Sequence, residues 1–244
     1  MKQRGMIRSL FLGTILLTTL AVAACGAAPE TVREDTATPE AEVLTIVDEE
    51  GNTDIDIQHL NTAIEVPVDS ELSATDIEGL LFMREEEKLA RDVYLALYDM
   101  WGVNIFRNIA SSEESHTEAV RVLIERYSLE DPMDVDEPGV FVNADLQALY
   151  DDLTALGSQS LVDALLVGAA IEEIDILDLE EYVARTDNAE IKLVYENLLR
   201  GSRNHLRSFV RQIESRSGPY QPQYLTRDAY DAILGSGIEV GGNR

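Results

Sequence analysis

The sequence predicts an all-α fold, a four-helix bundle with a long crossover that contains a short helix. Four segments of more than 20 residues repeat apolar residues in steps of three and four, which places those residues on one side of an α-helix. Between the second and third segments lie two prolines, Gly139 and a shorter periodic stretch. Four long amphipathic helices can bury their apolar faces only against one another, so they predict a bundle.

The N-terminus has the composition of a secretion signal in residues 1–24. A basic start is followed by an apolar stretch at about residues 10–22. The sequence VAAC at 22–25 resembles the lipobox of bacterial lipoproteins, which implies cleavage before Cys25 and a lipid on its sulfur. The alternative is cleavage after AVA at 21–23, which would leave Cys25 as a free thiol. The lipobox reading predicts an exported protein, lipid-anchored to the extracytoplasmic face of the cell membrane.

Residues 25–72 predict an acidic, largely disordered tether. Residues 26–42 are rich in Ala, Thr, Pro and Glu and lack apolar periodicity. Within residues 43–70, VLTIV and TDIDI flank the turn-prone DEEGN, which permits either a small hairpin or a loosely packed extension. His59 lies in this region, and we assign it no role.

The predicted helical domain covers residues 73–230, and a flexible tail covers 231–244. Thr75 and Glu78 fit a capping box at the start of the first long helix, which Gly102 ends after Trp101. The remaining predicted long helices span about residues 106–127, 160–185 and 188–216, with the short helix at about 144–156. Tyrosines follow Gly218 in an irregular segment, and we expect them to pack back on the bundle.

The second long helix carries two titratable residues inside its apolar stripe. Glu113 and His116 are three residues apart, so both project from the same side of the helix. Burying an ionised carboxylate without a partner is very unfavourable, so we expect a partner for Glu113. A hydrogen bond between the two side chains would satisfy them, and so would a shared metal ion.

Two other helices also place titratable residues in their apolar stripes. His205 lies in the stripe of the fourth helix, and Ser202 rather than a carboxylate stands three residues before it. Glu172 is the acid in the stripe of the third helix, with Glu173 and Asp175 beside that stripe as reserves. A lone histidine in a core is more often hydrogen-bonded than bound to a metal. These positions therefore indicate a metal site only if the fold brings them together.

Four stretches resemble the ferritin-like superfamily, and more closely a bacterial and archaeal branch of it known as a domain of unknown function. They are EEEKLARDVY, IASSEESH, GAAIEEIDILDLEEY and GSRNHLRSF, and the similarity covers roughly residues 75–230. In that superfamily a ligand Glu in the first helix precedes a Tyr by seven residues. This spacing selects Glu87, with Tyr94, whereas apolar periodicity alone favours Glu86.

The resemblance also implies two divalent metal ions as cofactors. The ligands it carries over are Glu87, Glu113, His116, Glu172 and His205. Carboxylate and imidazole ligands suit Fe, the first expectation, and also Mn or Zn. Ser202 departs from the pattern, which has a Glu at that position. The site can therefore be dinuclear and asymmetric, mononuclear or vestigial.

The resulting functional hypothesis is a membrane-anchored, ferritin-like metal-binding protein. The chemistry implied is that of a di-iron or di-manganese oxidase or peroxidase-type protein, with O2 or peroxide as substrate. The alternative is a non-enzymatic helical interaction module with a vestigial metal site, whose inward polar groups form a hydrogen-bonded network. Iron storage is the third possibility, and it fits poorly because a lipid anchor hinders assembly of a closed shell.

Charge argues against a nucleic acid partner. The chain has 46 acidic residues against 19 Lys and Arg, a net charge of -27. Binding to phosphates requires clustered cations, which this composition does not offer. The acids are spread along the chain, as expected for a solvated acidic surface.

Overall fold

The structure is a computed structural model, and it describes residues 43–64, 71–133 and 136–240. This part of the chain is mostly helical, which confirms the all-α prediction. Its strands are β1 (Thr45–Val47) and β2 (Thr53–Ile55). Its helices are α1 (Ile57–Ala63), α2 (Ala74–Trp101), α3 (Asn104–Arg126), α4 (Ala144–Gly157), α5 (Leu161–Arg185), α6 (Ala189–Ser217) and α7 (Arg227–Gly235).

The predicted signal peptide at 1–24, the lipidation site Cys25 and the first part of the predicted tether lie outside the described residues. Across the described ranges, no helix combines the length and the apolarity that crossing a membrane would require.

The long helix α2 begins with a capping box that differs from the predicted one. Ser73 accepts a hydrogen bond from the backbone N–H of Asp76, and the Asp76 carboxylate accepts one from the N–H of Ser73. The expected pair, Thr75 and Glu78, lies two residues further along, inside the first turn. At the other end Gly102 adopts a left-handed conformation (φ 65°), which a residue without a Cβ adopts at little cost.

Side-chain contacts fix the relative directions of α2 and α3. Arg107, near the start of α3, lies over the ring of Tyr98, near the end of α2. Arg84, about three turns into α2, donates a hydrogen bond to the carbonyl of Thr117, further along α3. The two helices therefore pack side by side in opposite directions.

The helices α5 and α6 form a second antiparallel pair. Gly168 in the first half of α5 faces Phe209 in the second half of α6, and Asp175 further along α5 accepts a hydrogen bond from Ser202. A Cβ on Gly168 would lie 2.3 Å from the Phe209 ring, so glycine permits this close approach.

The two helix pairs also pack against each other, and the contacts between them determine the relative directions of all four long helices. Tyr94 lies near Gly168, whereas Phe82 packs on Tyr182, so α5 runs opposite to α2. Consequently α2 and α6 point one way, and α3 and α5 point the other. The connection from α3 to α5 joins two parallel helices and must return along their full length. It carries α4, which packs on α2 and α5.

Residues 43–64 are folded, and they contain the small hairpin that the sequence permitted as one alternative. The strands β1 and β2 form an antiparallel hairpin in which Ile46 pairs with Asp54. Leu44 and Leu60 are buried, and the segment packs on α3 and α6. The alternation of buried and exposed residues along each strand gives the hairpin one buried face, which consists of Thr45, Val47, Thr53 and Ile55.

The segment after Gly218 is more regular than the sequence indicated. It includes α7, which Thr226 caps by accepting a hydrogen bond from the N–H of Ala229. Tyr220 and Tyr230 are buried, as expected for packing on the helices. Part of the predicted flexible tail is also anchored, because Glu239 forms ion pairs with two arginines of α6.

The apolar core is divided in two along the long helices. One cluster includes Val93, Phe106 and Phe209, and the other includes Leu80 and Leu198. Between them, all four long helices turn polar side chains inward, and this buried polar layer contains the candidate site.

Candidate metal centre

The structure brings all five predicted ligands into the buried polar layer. Each is at most 2 % exposed. Their potential ligand atoms form two groups, within each of which the atoms lie no more than 4.8 Å apart. The His116 group consists of Glu87, Glu113 and His116, and the His205 group consists of Glu113, Glu172 and His205.

Glu113 belongs to both groups because its two carboxylate oxygens face different histidines. Oε2 lies 2.7 Å from Nδ1 of His116, its neighbour three residues later on α3. Oε1 lies 2.9 Å from Nδ1 of His205 on α6. The two imidazole rings stack with centroids 5.5 Å apart. A carboxylate with one oxygen toward each ring is placed to bridge two ions.

Several of these atoms approach one another without hydrogen bonding. Nδ1 of His205 has no hydrogen-bond partner despite its 2.9 Å distance from Glu113, and Oε1 of Glu87 also has none. Buried polar atoms without partners are uncommon. Two atoms that each lie about 2.1 Å from one metal ion are about 3 Å apart when the angle at the ion is near 90°. The five residues therefore fit a site that can hold a metal ion.

The hairpin orients His116 from outside the long helices. Nε2 of His116 lies 2.8 Å from the carbonyl oxygen of Thr53 in β2. A carbonyl only accepts, so Nε2 carries the hydrogen and Nδ1 is left to face the carboxylates. The N–H groups of Thr53 and Ile55 donate to the hydroxyls of Ser112 and Ser115, which fixes the strand on α3. Sequence reasoning missed this contact, although the serines beside Glu113 were a signal.

Gly201 of α6 makes room for His116. A Cβ at this position would lie 2.6 Å from Cε1 and 2.8 Å from Nε2 of the imidazole, closer than real Cβ atoms approach other groups. No sequence pattern indicates a role for this glycine. Its function can be seen only once α3 and α6 are in contact.

On the other side of the layer, Tyr94 holds Glu172. Its hydroxyl donates to Oε1 of Glu172 at 2.5 Å, and both residues are buried. Tyr94, which the ferritin-like spacing selected together with Glu87, therefore hydrogen-bonds the carboxylate of another candidate ligand, Glu172. This bond fixes one oxygen of Glu172, while the other lies 3.6 Å from Nδ1 of His205.

The structure distinguishes between Glu86 and Glu87. Both are buried, but only Glu87 joins a group of potential ligands. Burial, together with the negative charges of Asp178 and Asp175, raises the pKa of Glu86 well above its usual range, and Glu86 shares a hydrogen bond with Asp178. The choice made from the ferritin-like spacing thus matches the geometry better than apolar periodicity does.

The two reserve acids beside Glu172 have different surroundings. Glu173 accepts hydrogen bonds from the Tyr220 hydroxyl and from backbone N–H groups of residues 223–225, so it is fully engaged away from the cluster. Asp175 accepts a hydrogen bond from Ser202, the residue that stands where the ferritin-like pattern has Glu.

Electrostatic interactions among the five residues are strong. Burial raises the pKa of Glu87 to about 7 against the opposing effect of His116. Burial would also raise the pKa of Glu113, but the charges of His116 and His205 outweigh it and hold that pKa well below its usual range. Burial would lower both histidine pKa values, yet Glu113 raises that of His205 to about 9 and that of His116 well above normal. Protons on the imidazoles balance the shared carboxylate, and a divalent cation would displace them.

Comparison with known proteins supports one family over most of the helical region. Residues 76–237 match the family described as Uncharacterized protein domain (DUF2202). The chain is 51% identical over 173 residues to Uncharacterized protein MJ0754 of Methanocaldococcus jannaschii, covering 71% of this chain and 94% of that protein. The crystal structure of hypothetical protein MJ0754 from Methanococcus jannaschii DSM 2661 is similar with a TM-score of 0.69 and 49% identity, covering 71% of this chain and 99% of that one.

Proposed function

The chain belongs to the family of the uncharacterized protein domain DUF2202, and we propose that it is a ferritin-like, metal-binding protein anchored to a membrane by lipid. The directions of the four long helices support the fold assignment. A four-helix bundle with one long crossover between parallel helices is the ferritin-like arrangement. Contacts along α2, α3, α5 and α6 are consistent with that order, and α4 lies within the crossover.

The shared position of Glu113 is the observation that carries the functional proposal. Its carboxylate contacts both histidines from within a buried layer. Glu87 and His116 would hold one divalent ion, Glu172 and His205 would hold the other, and Glu113 would bridge them. Oxygen and imidazole ligands suit Fe best in this proposal and also admit Mn or Zn.

The proposed chemistry is that of an oxidase or peroxidase. A pair of Fe(II) ions, when bound, would supply one electron each for the reduction of O2 or a peroxide. The protein's own contribution is positional. The apolar clusters on either side of the polar layer exclude water, Tyr94 fixes Glu172, and the Thr53 carbonyl fixes the ring of His116.

Metal content tests this proposal. Chelator-stripped protein, reloaded with Fe(II) without oxygen and desalted, should retain about two ions per chain, the number that a bridging carboxylate and two histidines can hold. The double variant His116→Gln/His205→Gln should retain less than a tenth of that amount. Consumption of O2 or hydrogen peroxide by the loaded protein then tests the reaction. Wild-type protein that binds neither Fe, Mn nor Zn would refute the proposal.

The second candidate is a helical interaction module with a vestigial site. Ser202 favours it, because this position lacks the carboxylate of the ferritin-like pattern. In the metal-free protein, protons on the histidines also balance the charge of Glu113. In that case the polar layer would hold no metal ion. Unchanged metal content and thermal stability in the double histidine variant would support the interaction module.

The proposed location rests on the sequence of the first 25 residues. A lipobox-like VAAC and a basic, apolar leader support export and lipidation at Cys25. Growth with a labelled fatty acid should label the wild-type chain and fractionate it with membranes. The Cys25→Ala variant should lose the label, and persistence of the label in this variant would exclude the proposed anchor.

A further inference from the structure

We propose that Asp175 is the sixth ligand of the metal site, supplying from α5 the carboxylate that Ser202 does not supply from α6. This inference rests on the proposed function, because it concerns the same two ions. It deepens that proposal by assigning a complete set of four carboxylates and two histidines. It also gives Ser202 a role, that of positioning the side chain that replaces it.

The position of Asp175 on α5 is favourable. It follows Glu172 by three residues, so both side chains project from the same side of the helix. Asp175 is 6 % exposed, and its Oδ1 has no hydrogen-bond partner. A buried carboxylate oxygen without a partner is costly unless a cation or donor approaches it. The free oxygen therefore has the property expected of a ligand atom.

Ser202 holds the other oxygen of Asp175. It precedes His205 by three residues on α6, so its side chain projects from the same side of the helix as the ligand histidine. A serine side chain is too short to replace a glutamate as a metal ligand there. Its hydroxyl instead donates a hydrogen bond to Oδ2 of Asp175 across the interface between the helices. Asp175 on α5 thus places a carboxylate beside the position on α6 where the ferritin-like pattern has Glu.

The charges around Asp175 show that it lies within range of both ligand groups. Burial raises its pKa well above the usual value, and the negative charges of Glu87 and Glu172 raise it further. Glu87 belongs to the His116 group and Glu172 to the His205 group. The charge of one carboxylate from each group therefore acts on Asp175.

Asp175 itself belongs to neither ligand group in the structure. We therefore expect its carboxylate to rotate toward the ions on binding, with Ser202 as the pivot. Among the neighbouring buried acids, Glu173 is saturated by hydrogen bonds. Glu86 also leaves one oxygen, Oε2, without a hydrogen-bond partner, but it adjoins the candidate ligand Glu87 in sequence and so projects from a different side of α2.

The test is an anaerobic Fe(II) titration of the full chain, with bound iron counted after desalting. Asp175→Asn keeps the shape and the contact with Ser202 but removes the charge. It should bind one ion as the wild type does and the second at least about ten-fold more weakly, because a ligand is lost. Glu180→Gln, which alters an exposed acid of the same helix, should leave both ions unchanged.

A swap of the two residues provides a rescue. Asp175→Ser combined with Ser202→Glu returns the carboxylate to α6 and should restore binding of the second ion. If Asp175→Asn fails to fold, Ser202→Ala tests the same idea, since loss of the pivot should also weaken the second ion. Circular dichroism of each metal-free variant verifies its folding.

The possible outcomes separate this inference from the proposed function. Two ions bound with wild-type affinity by Asp175→Asn, or by Ser202→Ala where the first variant does not fold, would overturn the role of Asp175 and leave the metal site intact. Failure of the wild-type chain to bind iron, manganese or zinc would overturn both. Loss of the second ion in Asp175→Asn with recovery in the swap would support the assignment.

Discussion

The His116 and His205 groups share one carboxylate but are held in place differently. His116 hydrogen-bonds through Nε2 to Thr53 of the hairpin, which itself is fixed to α3. Within the described part of the chain, neither ring nitrogen of His205 has a hydrogen bond, and its group is held through Tyr94 and Glu172. Both histidines are fully buried.

This difference indicates that one half of the site is more preorganised than the other. A ligand whose second nitrogen is fixed loses less freedom on binding a metal. We therefore expect the ion of the His116 group to bind more tightly than the ion of the His205 group. The hairpin that fixes His116 lies outside residues 76–237, the range matched to the family.

Removal of the shared carboxylate should have the largest effect. Glu113→Gln should reduce metal content to less than about a tenth of an ion per chain, because both groups lose a ligand and the charge that balances two imidazoles. Glu125→Gln, an exposed acid on the same helix, is the matched control. Metal analysis after reloading measures both. Retention of one ion by Glu113→Gln would show that this carboxylate is not a bridge.

Changing the pH should move metal affinity and metal-free stability in opposite directions. Glu87 (pKa about 7) and His205 (pKa about 9) must release protons to bind a metal, so affinity should rise about ten-fold per pH unit for each proton displaced. Both pKa values are raised by folding. The stability of the metal-free protein is therefore present at low pH and is lost as pH rises through about 7 and then about 9.

Binding isotherms and metal-free melting temperatures between pH 5 and 9 test this expectation. Metal affinity that is flat across that range would contradict proton displacement from the site. A melting temperature that rises from pH 6 to 9 would contradict the assigned protonation states.

A methyl group at position 201 should disturb the His116 group selectively. Gly201→Ala places a Cβ within 2.8 Å of the imidazole, so the ring must shift. We expect a loss of about 1–3 kcal/mol in stability from overpacking and weaker binding of the first ion by about ten-fold or more. Gly235→Ala has open space around it and serves as the control. Equal metal binding by the two variants would show that the position of His116 is unimportant.

Loosening the hairpin should have a smaller effect confined to the same group. Ser112→Ala/Ser115→Ala removes the acceptors for the N–H groups of Thr53 and Ile55, so the Thr53 carbonyl is less firmly held. Binding of the first ion should weaken by up to about ten-fold, the low end of the effect expected for contacts that orient a metal ligand. Ser158→Ala on the surface is the control. Selective weakening of the second ion instead would reverse the proposed comparison.

The smallest expected effect is on the His205 group. Tyr94→Phe removes the hydrogen bond to Glu172 but keeps the ring, at a cost of about 1 kcal/mol in stability. Binding of the second ion should weaken several-fold while the first is unchanged. Tyr98→Phe, whose hydroxyl is at the surface, is the control. Loss of both ions would show that Tyr94 supports the whole site rather than one group.

Sequence periodicity located the four long helices to within about two residues because it reflects local geometry. It also found the Glu113–His116 pair for the same reason. It favoured Glu86 over Glu87, because both are buried and they differ only in what they meet across the core. The Thr53 carbonyl and the Asp175–Ser202 contact are long-range features, and no periodic pattern encodes them.

Short elements were the hardest to predict. The nine residues of α7 contain too few apolar positions to show a helical period, although Thr226 is a good cap. The hairpin was recognised as a possibility from its turn sequence, but its docking on α3 and α6 depends on surfaces far away in the chain. The hairpin that orients His116 is therefore too short for sequence periodicity to reveal its contribution to the candidate site.

An anomalous-scattering map of metal-loaded crystals, collected at the absorption edge of the bound metal, tests the central claim most directly. The account predicts two peaks in the buried polar layer, one beside Glu87 and His116 and one beside Glu172 and His205, with Glu113 in contact with both. A map of metal-loaded protein with no peak among these five side chains would contradict it.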